Sequence, residues 1–181
     1  HDDAPCKVDF WLRNLACLRE QLGKLNIPLL IRSCDDWQQA PATLLQLCRQ
    51  IGAGAVHCNA EYGIHETRRD QACSSLLEPQ GIAFTAHFDQ LLLKPGSVLT
   101  QSGNYFQVFS QFRKVCYQRL HRSLPACLPY PAAQAALPVS SDELPTTVSG
   151  FTPPDASLRQ LWPAGETAAQ QRLQQFAEQY M

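Results

Sequence analysis

Apolar residues recur at three- and four-residue steps close to the start of the chain. These positions are Val8, Trp11, Leu12, Leu15, Leu18, Leu22 and Leu25. Such spacing is typical of an amphipathic helix that packs one face against a core. Only residues 1–5 precede this helix, so we expect the chain to be a fragment that lacks the first elements of its domain.

The segments that follow alternate between short apolar runs and longer helical patterns. The pattern predicts strands at 26–32, at 55–59 and from 82 towards 88, and helices at 41–51, 66–77 and 105–120. In the last of these helices, Phe109, Phe112, Cys116 and Leu120 share one face, which is expected to point to the core. Short strands separated by helices need crossover connections, so they pair in parallel. The sequence therefore predicts the α/β class, with a doubly wound parallel sheet covered by helices on both faces.

The amino-acid composition changes after the part in which predicted strands and helices alternate. Seven prolines interrupt a stretch rich in Ala, Ser and Thr between residues 125 and 154, which is typical of a linker or an extended wrapping segment. Helical spacing returns from Gly165 through Leu173, Phe176 and Tyr180. We therefore predict an α/β domain over 1–122, a Pro-rich linker over 123–164 and the start of a further helical domain at 165–181.

Composition and charge exclude several classes of protein. The 181 residues are 45% hydrophobic and 17% charged, with a formal net charge of −1, which is typical of a globular domain. No apolar run approaches the roughly 18 residues that a membrane-spanning helix needs. The near-neutral balance argues against a strong basic field for nucleic acid. The sequence thus predicts a globular protein with no membrane partner.

The eight cysteines raise the question of disulfides or a metal site. No CxxC pair occurs, and no Cys/His cluster has the spacing of zinc ligands, so no metal site is predicted. Most of the cysteines, such as Cys17, Cys48 and Cys116, take the place of an apolar residue in a periodic run. We therefore expect reduced, buried thiols and a cytoplasmic location.

No standard catalytic motif is present, because the chain has no Walker loop, GxGxxG, GxSxG or HExxH. The informative stretch is 59–70, which runs from the end of a predicted strand into a helix. It lies at the carboxyl end of a parallel strand, where open α/β sheets place their ligand crevices. Spacing alone leaves a second interpretation open, in which no ligand is involved. Glu66 would then be present only because the positive end of the helix dipole favours an acid in the first turn. Arg68, Arg69 and Asp70 would be a solvated helix face.

These residues, with others downstream, resemble the amino-terminal α/β domain of the photolyase and cryptochrome family. The positions that carry the resemblance are Asn59, Tyr62, Glu66, Arg69, Asp70, Phe88, Asp89, Pro95, Gly96, Gly103, Tyr105, Phe109 and Phe112. The resemblance covers residues 1–122 and is strongest to bacterial class I cyclobutane pyrimidine dimer photolyases. It implies a Rossmann-like domain that is truncated at its start, without the family's first strands and without its helical domain.

Three departures from the family pattern stand out. Gly63 occupies a position where a second acid is usual, Ser110 and Gln111 replace a common Thr-Pro pair, and Cys116 replaces a frequent Trp. These departures bear on the transfer of single residue roles more than on the fold.

The resemblance implies two cofactors and a substrate. The α/β domain of the family carries an antenna chromophore, commonly of the methenyltetrahydrofolate type, or else a deazaflavin or flavin. By resemblance, Glu66 and His65 meet the pterin ring, and His1 lies at the edge of that site. FAD and damaged DNA would be bound by the helical domain, so no catalytic residue is expected in this chain, and the full-length lyase is expected to be a monomer.

Two more functions stay open on the sequence alone. A cryptochrome-type blue-light photoreceptor has the same fold, and the sequence that would distinguish it lies in the helical domain. A stand-alone flavodoxin-like nucleotide-binding module is the other, although no glycine-rich phosphate loop follows a predicted strand.

Overall fold

The computed structural model of the chain describes residues 3–180. Cα packing divides it into two compact parts, which we describe separately. The α/β unit comprises residues 32–129, and the helical unit comprises the residues up to 31 together with those from 130 onward. Within residues 3–180, no helix has the length and apolar character needed to cross a membrane.

The described residues form six α-helices and two β-strands. In chain order they are α1 (Pro5–Lys24), α2 (Ala40–Ile51), β1 (Ala55–Asn59), α3 (Ile64–Leu77), β2 (Ala83–His87), α4 (Phe109–Arg122), α5 (Ala156–Leu161) and α6 (Glu166–Tyr180). A short 3₁₀ turn at Glu78–Gln80 follows α3. The predicted helices at 41–51 and 66–77 and the predicted strand at 55–59 are confirmed, with helix starts that differ by one or two residues.

The two strands of the α/β unit pair in parallel, with α3 as the crossover between them. The register runs from Ala55 opposite Ala83 to Asn59 opposite His87. Two further backbone bonds extend the ladder, from Ala83 N–H to the Gly54 carbonyl at 3.0 Å and from Ala60 N–H to the His87 carbonyl at 2.8 Å. The predicted α/β class with a parallel sheet is therefore confirmed.

The core of the α/β unit lies between this sheet and the helices α2 and α3. Cys48 of α2, Cys73 and Leu77 of α3, and Ile82 form a buried cluster. Leu44, Leu45, Ala53, Val56 and Phe84 pack against this cluster. Residues alternate across a strand, so Val56 and Phe84 point towards these helices and the intervening residues point to the opposite face.

That opposite face of the sheet is exposed within the α/β unit, whereas we predicted helices on both faces. Its residues are Ala55, His57, Asn59, Ala83, Thr85 and His87, all of them exposed. The difference arises because both helices that contribute to the buried cluster, α2 and α3, lie on the same side of the sheet.

The predicted strand at 26–32 was wrong, because this segment does not belong to the sheet that β1 and β2 form. Its backbone is bonded to residues 141 and 142 instead. Leu29 N–H donates to Ser141 Oγ at 3.0 Å, and its carbonyl accepts from Asp142 N–H at 3.0 Å. Ile31 N–H donates to Asp142 Oδ2 at 2.7 Å. Side-chain acceptors thus take donors that a neighbouring strand would otherwise use.

Helix α4 also begins later than predicted, at Phe109 rather than at residue 105. Phe109 is 72% exposed and Phe112 is 37% exposed, so the predicted core role of these two side chains is not met. Cys116 and Leu120 are partly buried, as expected. The phenylalanines contact one another instead, with ring centroids of Phe109 and Phe112 separated by 6.3 Å.

Helix α5 lies inside the segment that we predicted to be a linker. Asp155 caps it, because its carboxylate accepts a hydrogen bond from Leu158 N–H at 2.9 Å. An Asp directly after two prolines is a recognisable helix start, and it is the signal that sequence analysis missed.

A buried carboxylate ties α5 to α1 within the helical unit. The side chain of Asp9 is 8% exposed, and it accepts hydrogen bonds from Arg159 and, at 2.8 Å, from Arg13 Nε. The Arg159 hydrogen bond, aided by Arg13, holds the pKa of Asp9 below its usual range, although burial acts in the opposite direction. The ion pair therefore stabilises the folded state while Asp9 is ionised.

We expect Asp9→Asn to lower the free energy of unfolding by about 1–3 kcal/mol at neutral pH, because two arginines lose their charged acceptor. A lowered pKa in the folded state means that this contribution is present above the unfolded pKa of about 3.9 and is lost as the pH falls through the folded value. Urea unfolding at pH 7 and at pH 3 measures it. The exposed Asp3, paired with Lys7, is the control, and Asp3→Asn should change stability by less than about 0.5 kcal/mol. Equal effects of the two substitutions at pH 7 would contradict this role.

The eight cysteines are free thiols that differ widely in exposure. Cys48 and Cys73 are buried as expected, but Cys6, Cys34 and Cys127 are exposed, which corrects the prediction of burial. The latter two lie outside the periodic helical runs, in an interhelical loop and in the Pro-rich segment. Burial raises the pKa of the Cys48 and Cys73 thiols.

We expect thiol titration of the native protein near neutral pH to label Cys6, Cys34 and Cys127 quickly. Cys48 and Cys73 should react only after denaturation, because burial limits both reagent access and thiolate formation. Mass spectrometry of the labelled peptides measures the order. Labelling of Cys48 at the rate of Cys34 would contradict the packing of α2 described above.

Candidate functional site

The candidate site lies where β1 ends and α3 begins. Asn59 is the last residue of β1, and its side-chain amide donates to Asp89 Oδ2 at 3.3 Å, just beyond the end of β2. This contact joins the carboxyl ends of the two parallel strands. Ligand crevices of open α/β sheets lie at this edge, so the structure places the predicted stretch 59–70 at the expected position.

Glu66 folds back over the start of α3. It lies in the first turn of the helix, whose N-cap is Gly63 in an extended conformation. The carboxylate occupies the space beside the Gly63 Cα, where a Cβ atom would overlap Glu66 Oε2. A larger residue at position 63, such as the acid that is usual in the family, would therefore require the flexible end of the Glu66 side chain to turn aside.

The carboxylate of Glu66 is partly buried, and no side chain or backbone group among residues 3–180 donates a hydrogen bond to it. It also lies near the positive end of the α3 dipole, which favours a negative charge there. The arrangement leaves both oxygens available to accept from a ligand with adjacent N–H donors.

Arg69 holds together the segments around this helix. Its Nε donates to Asp70 Oδ1 at 2.8 Å, and its Nη2 donates to Glu61 Oε2 at 2.9 Å. Its guanidinium also lies over the Trp37 ring, 5.3 Å from the centroid. Burial opposes the charge, but the hydrogen bonds to Asp70 and Glu61 raise the pKa of Arg69. Arg69 and Asp70 are thus a partly buried ion pair rather than the solvated helix face that the second interpretation predicted.

His65 opens onto a pocket of about 570 Å³ beside α3. The residues that line this pocket are Asp36, Trp37, Gln38, His65, Arg68, Arg69 and Ala72. Glu66 is not among them, so the two adjacent predicted residues serve different sides of the helix start. His1, the third predicted site residue, lies outside the described residues.

A pair of histidines on the exposed face of the sheet was not singled out by sequence analysis. His57 Nδ1 and His87 Nε2 are 2.9 Å apart, and the two rings stack with centroids 5.1 Å apart. Alternation along the two strands was the available signal, since it places both side chains on one face. Among residues 3–180, no group of three or more His, Cys, Asp or Glu side chains could hold a metal ion.

Comparison with known proteins identifies the family. The DNA photolyase family profile matches residues 1–132, which is well over half of the chain. The chain belongs to the DNA photolyase family. This membership favours a photolyase-type α/β domain over the flavodoxin-like module that the sequence left open.

Individual relatives agree with this assignment. The chain is 39% identical to the deoxyribodipyrimidine photo-lyase of Vibrio cholerae over 114 residues, which is 63% of this chain and 24% of that protein. It is 28% identical to the enzyme of the same name from Salmonella typhimurium, over 99% of this chain and 37% of that protein. The chain therefore spans about a quarter to somewhat over a third of the length of these relatives.

A solved structure confirms the fold. A bacterial class III photolyase from Agrobacterium tumefaciens superimposes with a TM-score of 0.65 at 23% sequence identity. The match covers 94% of this chain and 35% of that one. The finer predicted resemblance to class I enzymes, and the predicted boundaries at residues 122 and 164, stay predictions.

Proposed function

We propose that this chain is the antenna-binding part of a deoxyribodipyrimidine photolyase. The observation that carries the proposal is the Glu66 carboxylate, which is partly buried at the carboxyl edge of the sheet and accepts no hydrogen bond from residues 3–180. Membership of the photolyase family supplies the context. The full-length protein would be a carbon–carbon lyase that repairs cyclobutane pyrimidine dimers in DNA.

The Glu66 carboxylate is an acceptor that fits the N–H donors of a pterin. A pterin ring presents adjacent N–H donors, and one carboxylate can accept both as a charge-assisted bidentate pair, which gives strength and orientation together. Glu66 would hold the ring, His65 would flank it, and His1 would contribute from the edge of the site. A methenyltetrahydrofolate-type antenna is therefore our first choice, with deazaflavin or flavin as the other members of the class.

The work of this chain is to bind and to orient rather than to cleave. When bound, the antenna would supply excitation energy, and reduced FAD, bound outside this chain, would supply the electron for cleavage of the dimer. The Asn59–Asp89 contact and the Arg69 ion pairs keep the strand end and the helix start in place, which would limit the positions from which Glu66 can bind the ring. FAD and damaged DNA would be bound elsewhere in the full-length protein, which we expect to be a cytoplasmic monomer.

Two measurements on the purified full-length protein test the proposal. Its absorption spectrum should contain a flavin band and a separate antenna band, and blue light should restore thymine dimers in DNA to thymines. A protein that binds flavin and antenna but repairs no dimers would instead be a cryptochrome-type photoreceptor. A protein without an antenna band after reconstitution with folate, deazaflavin and flavin would exclude the proposed role of this chain.

A further inference from the structure

The pocket beside α3, which we call the Trp37 pocket, has the dimensions of a ligand site. Its volume of about 570 Å³ lies within the range of roughly 300–1,000 Å³ that is usual for small-molecule sites. The loop that carries Asp36 and Trp37 forms one wall, and the face of α3 that carries His65 and Arg68 forms the other. Both walls belong to the α/β unit.

Trp37 gives this pocket a firm aromatic surface. The residue is 50% exposed. The Arg69 guanidinium lies against the indole ring, and Arg69 is itself held by Asp70 and Glu61. The ring is thus fixed by a cation whose charge is already balanced, while half of its surface stays available to a ligand.

Arg68 is the cation of the pocket whose charge is not balanced. It is exposed, and no hydrogen bond or ion pair joins it to the described residues. The acid of the opposite wall, Asp36, forms no ion pair with Arg68; its Oδ1 accepts from the backbone N–H groups of Gln38 and Gln39, each at 2.9 Å. An arginine presents a planar fork of donors that matches a carboxylate or a phosphate.

The Trp37 pocket and Glu66 lie at the same end of α3. His65, which lines the pocket, directly precedes Glu66, and Arg68 lies one turn further on, on the same face as His65. One helical turn advances by about 5.4 Å. Glu66 itself lies outside the pocket lining, so the chain of a ligand whose ring is held by Glu66 would have to pass around the helix start beside His65 to reach Arg68.

We propose that the Trp37 pocket holds the anionic tail of the antenna chromophore, with Arg68 as the residue that recognises its charge. The inference rests on the proposed function and extends it from the ring to the tail. Folate and flavin-type antennas share one chemical feature, an anionic group on a flexible chain that is attached to a planar ring. In a folate this group is the glutamate carboxylate, and in a flavin-type antenna it is the side-chain phosphate.

Titrations of the full-length protein with matched probes test this assignment. The folate pair is methenyltetrahydrofolate triglutamate against the corresponding pteroate, which lacks the glutamates and keeps only its benzoate carboxylate. The flavin pair is FMN against riboflavin. For the wild type, the more negatively charged member of at least one pair should bind about five- to tenfold more tightly than the other member. Arg68→Ala should abolish this ratio, Arg68→Lys should keep part of it, and added salt should reduce it.

Arg113→Ala is the control, because Arg113 is an exposed arginine of α4 in the same unit. It should leave every affinity unchanged. A response in the folate pair alone identifies a glutamate tail, and a response in the flavin pair alone identifies a phosphate. If Arg68→Ala leaves the ratio intact while Glu66→Gln weakens ring binding, the tail assignment is wrong and the proposed function stands. If the wild type binds none of the four probes, both are wrong.

Discussion

Glu66→Gln is expected to weaken antenna retention in the full-length protein by about 1.5–3 kcal/mol, which is roughly a 10- to 150-fold loss of affinity. The reason is that a carboxylate able to accept two hydrogen bonds becomes an amide with one acceptor and one donor, so one N–H of the ring meets an N–H of the protein. The antenna band per mole of protein, measured after gel filtration, reports retention. FAD content should not change.

The control for this substitution is Glu143→Gln. The Glu143 side chain is 92% exposed and has only a surface contact of 3.4 Å with Arg19, so the same chemical change there should leave antenna occupancy unaltered. Equal antenna occupancy in Glu66→Gln and in the wild type would remove Glu66 from the site.

Leu77→Ala is expected to lower the free energy of unfolding of the α/β unit by about 2–4 kcal/mol. Leu77 is fully buried where α3 meets the sheet, in contact with the cluster formed by Cys48, Cys73 and Ile82. Its truncation removes apolar burial and leaves a cavity between α2, α3 and β2, which cannot close without moving the helices. Urea unfolding followed by circular dichroism measures the shift.

The neighbouring residue provides a matched control. Leu76 belongs to the same helix and has the same side chain, but it is 37% exposed. Leu76→Ala should therefore cost clearly less, about 1 kcal/mol, because part of the Leu76 side chain is already in contact with solvent and its truncation leaves no enclosed cavity. Similar losses for the two substitutions would mean that α3 packs on the sheet with a different face.

Elements with strong local signals agree with the structure. Helix α2 has Pro41 in its first turn and ends at Gly52, which adopts the left-handed conformation with φ of 68°. That conformation costs glycine little, so the residue type itself marks the end of the helix. Strand β1 likewise follows from a short apolar run between glycine and a polar turn. In such places local chemistry and tertiary packing favour the same outcome.

Elements that depend on distant partners were predicted less well. The segment 26–32 has the composition of a buried strand, yet it is bonded to Ser141 and Asp142, more than a hundred residues away. The periodic face of α4 was expected in the core, but Phe109 is largely exposed. An apolar pattern indicates that one face of an element tends to be buried. It does not indicate which other segment of the chain packs against that face.

In the candidate site, too, some features could be predicted from the sequence and others depend on tertiary contacts. The sequence by itself determined that an acid stands in the first turn of α3 at the end of a parallel strand, because the residue order and the strand-to-helix pattern place Glu66 there. The sequence left open whether Glu66 binds a ligand or is present only because the helix dipole favours an acid in the first turn. Tertiary structure decided that the carboxylate folds over Gly63, that Arg69 bridges Glu61, Asp70 and Trp37, and that His65 faces a separate pocket. These features depend on side-chain directions and on contacts between segments, which become defined only when the sheet and its helices have packed.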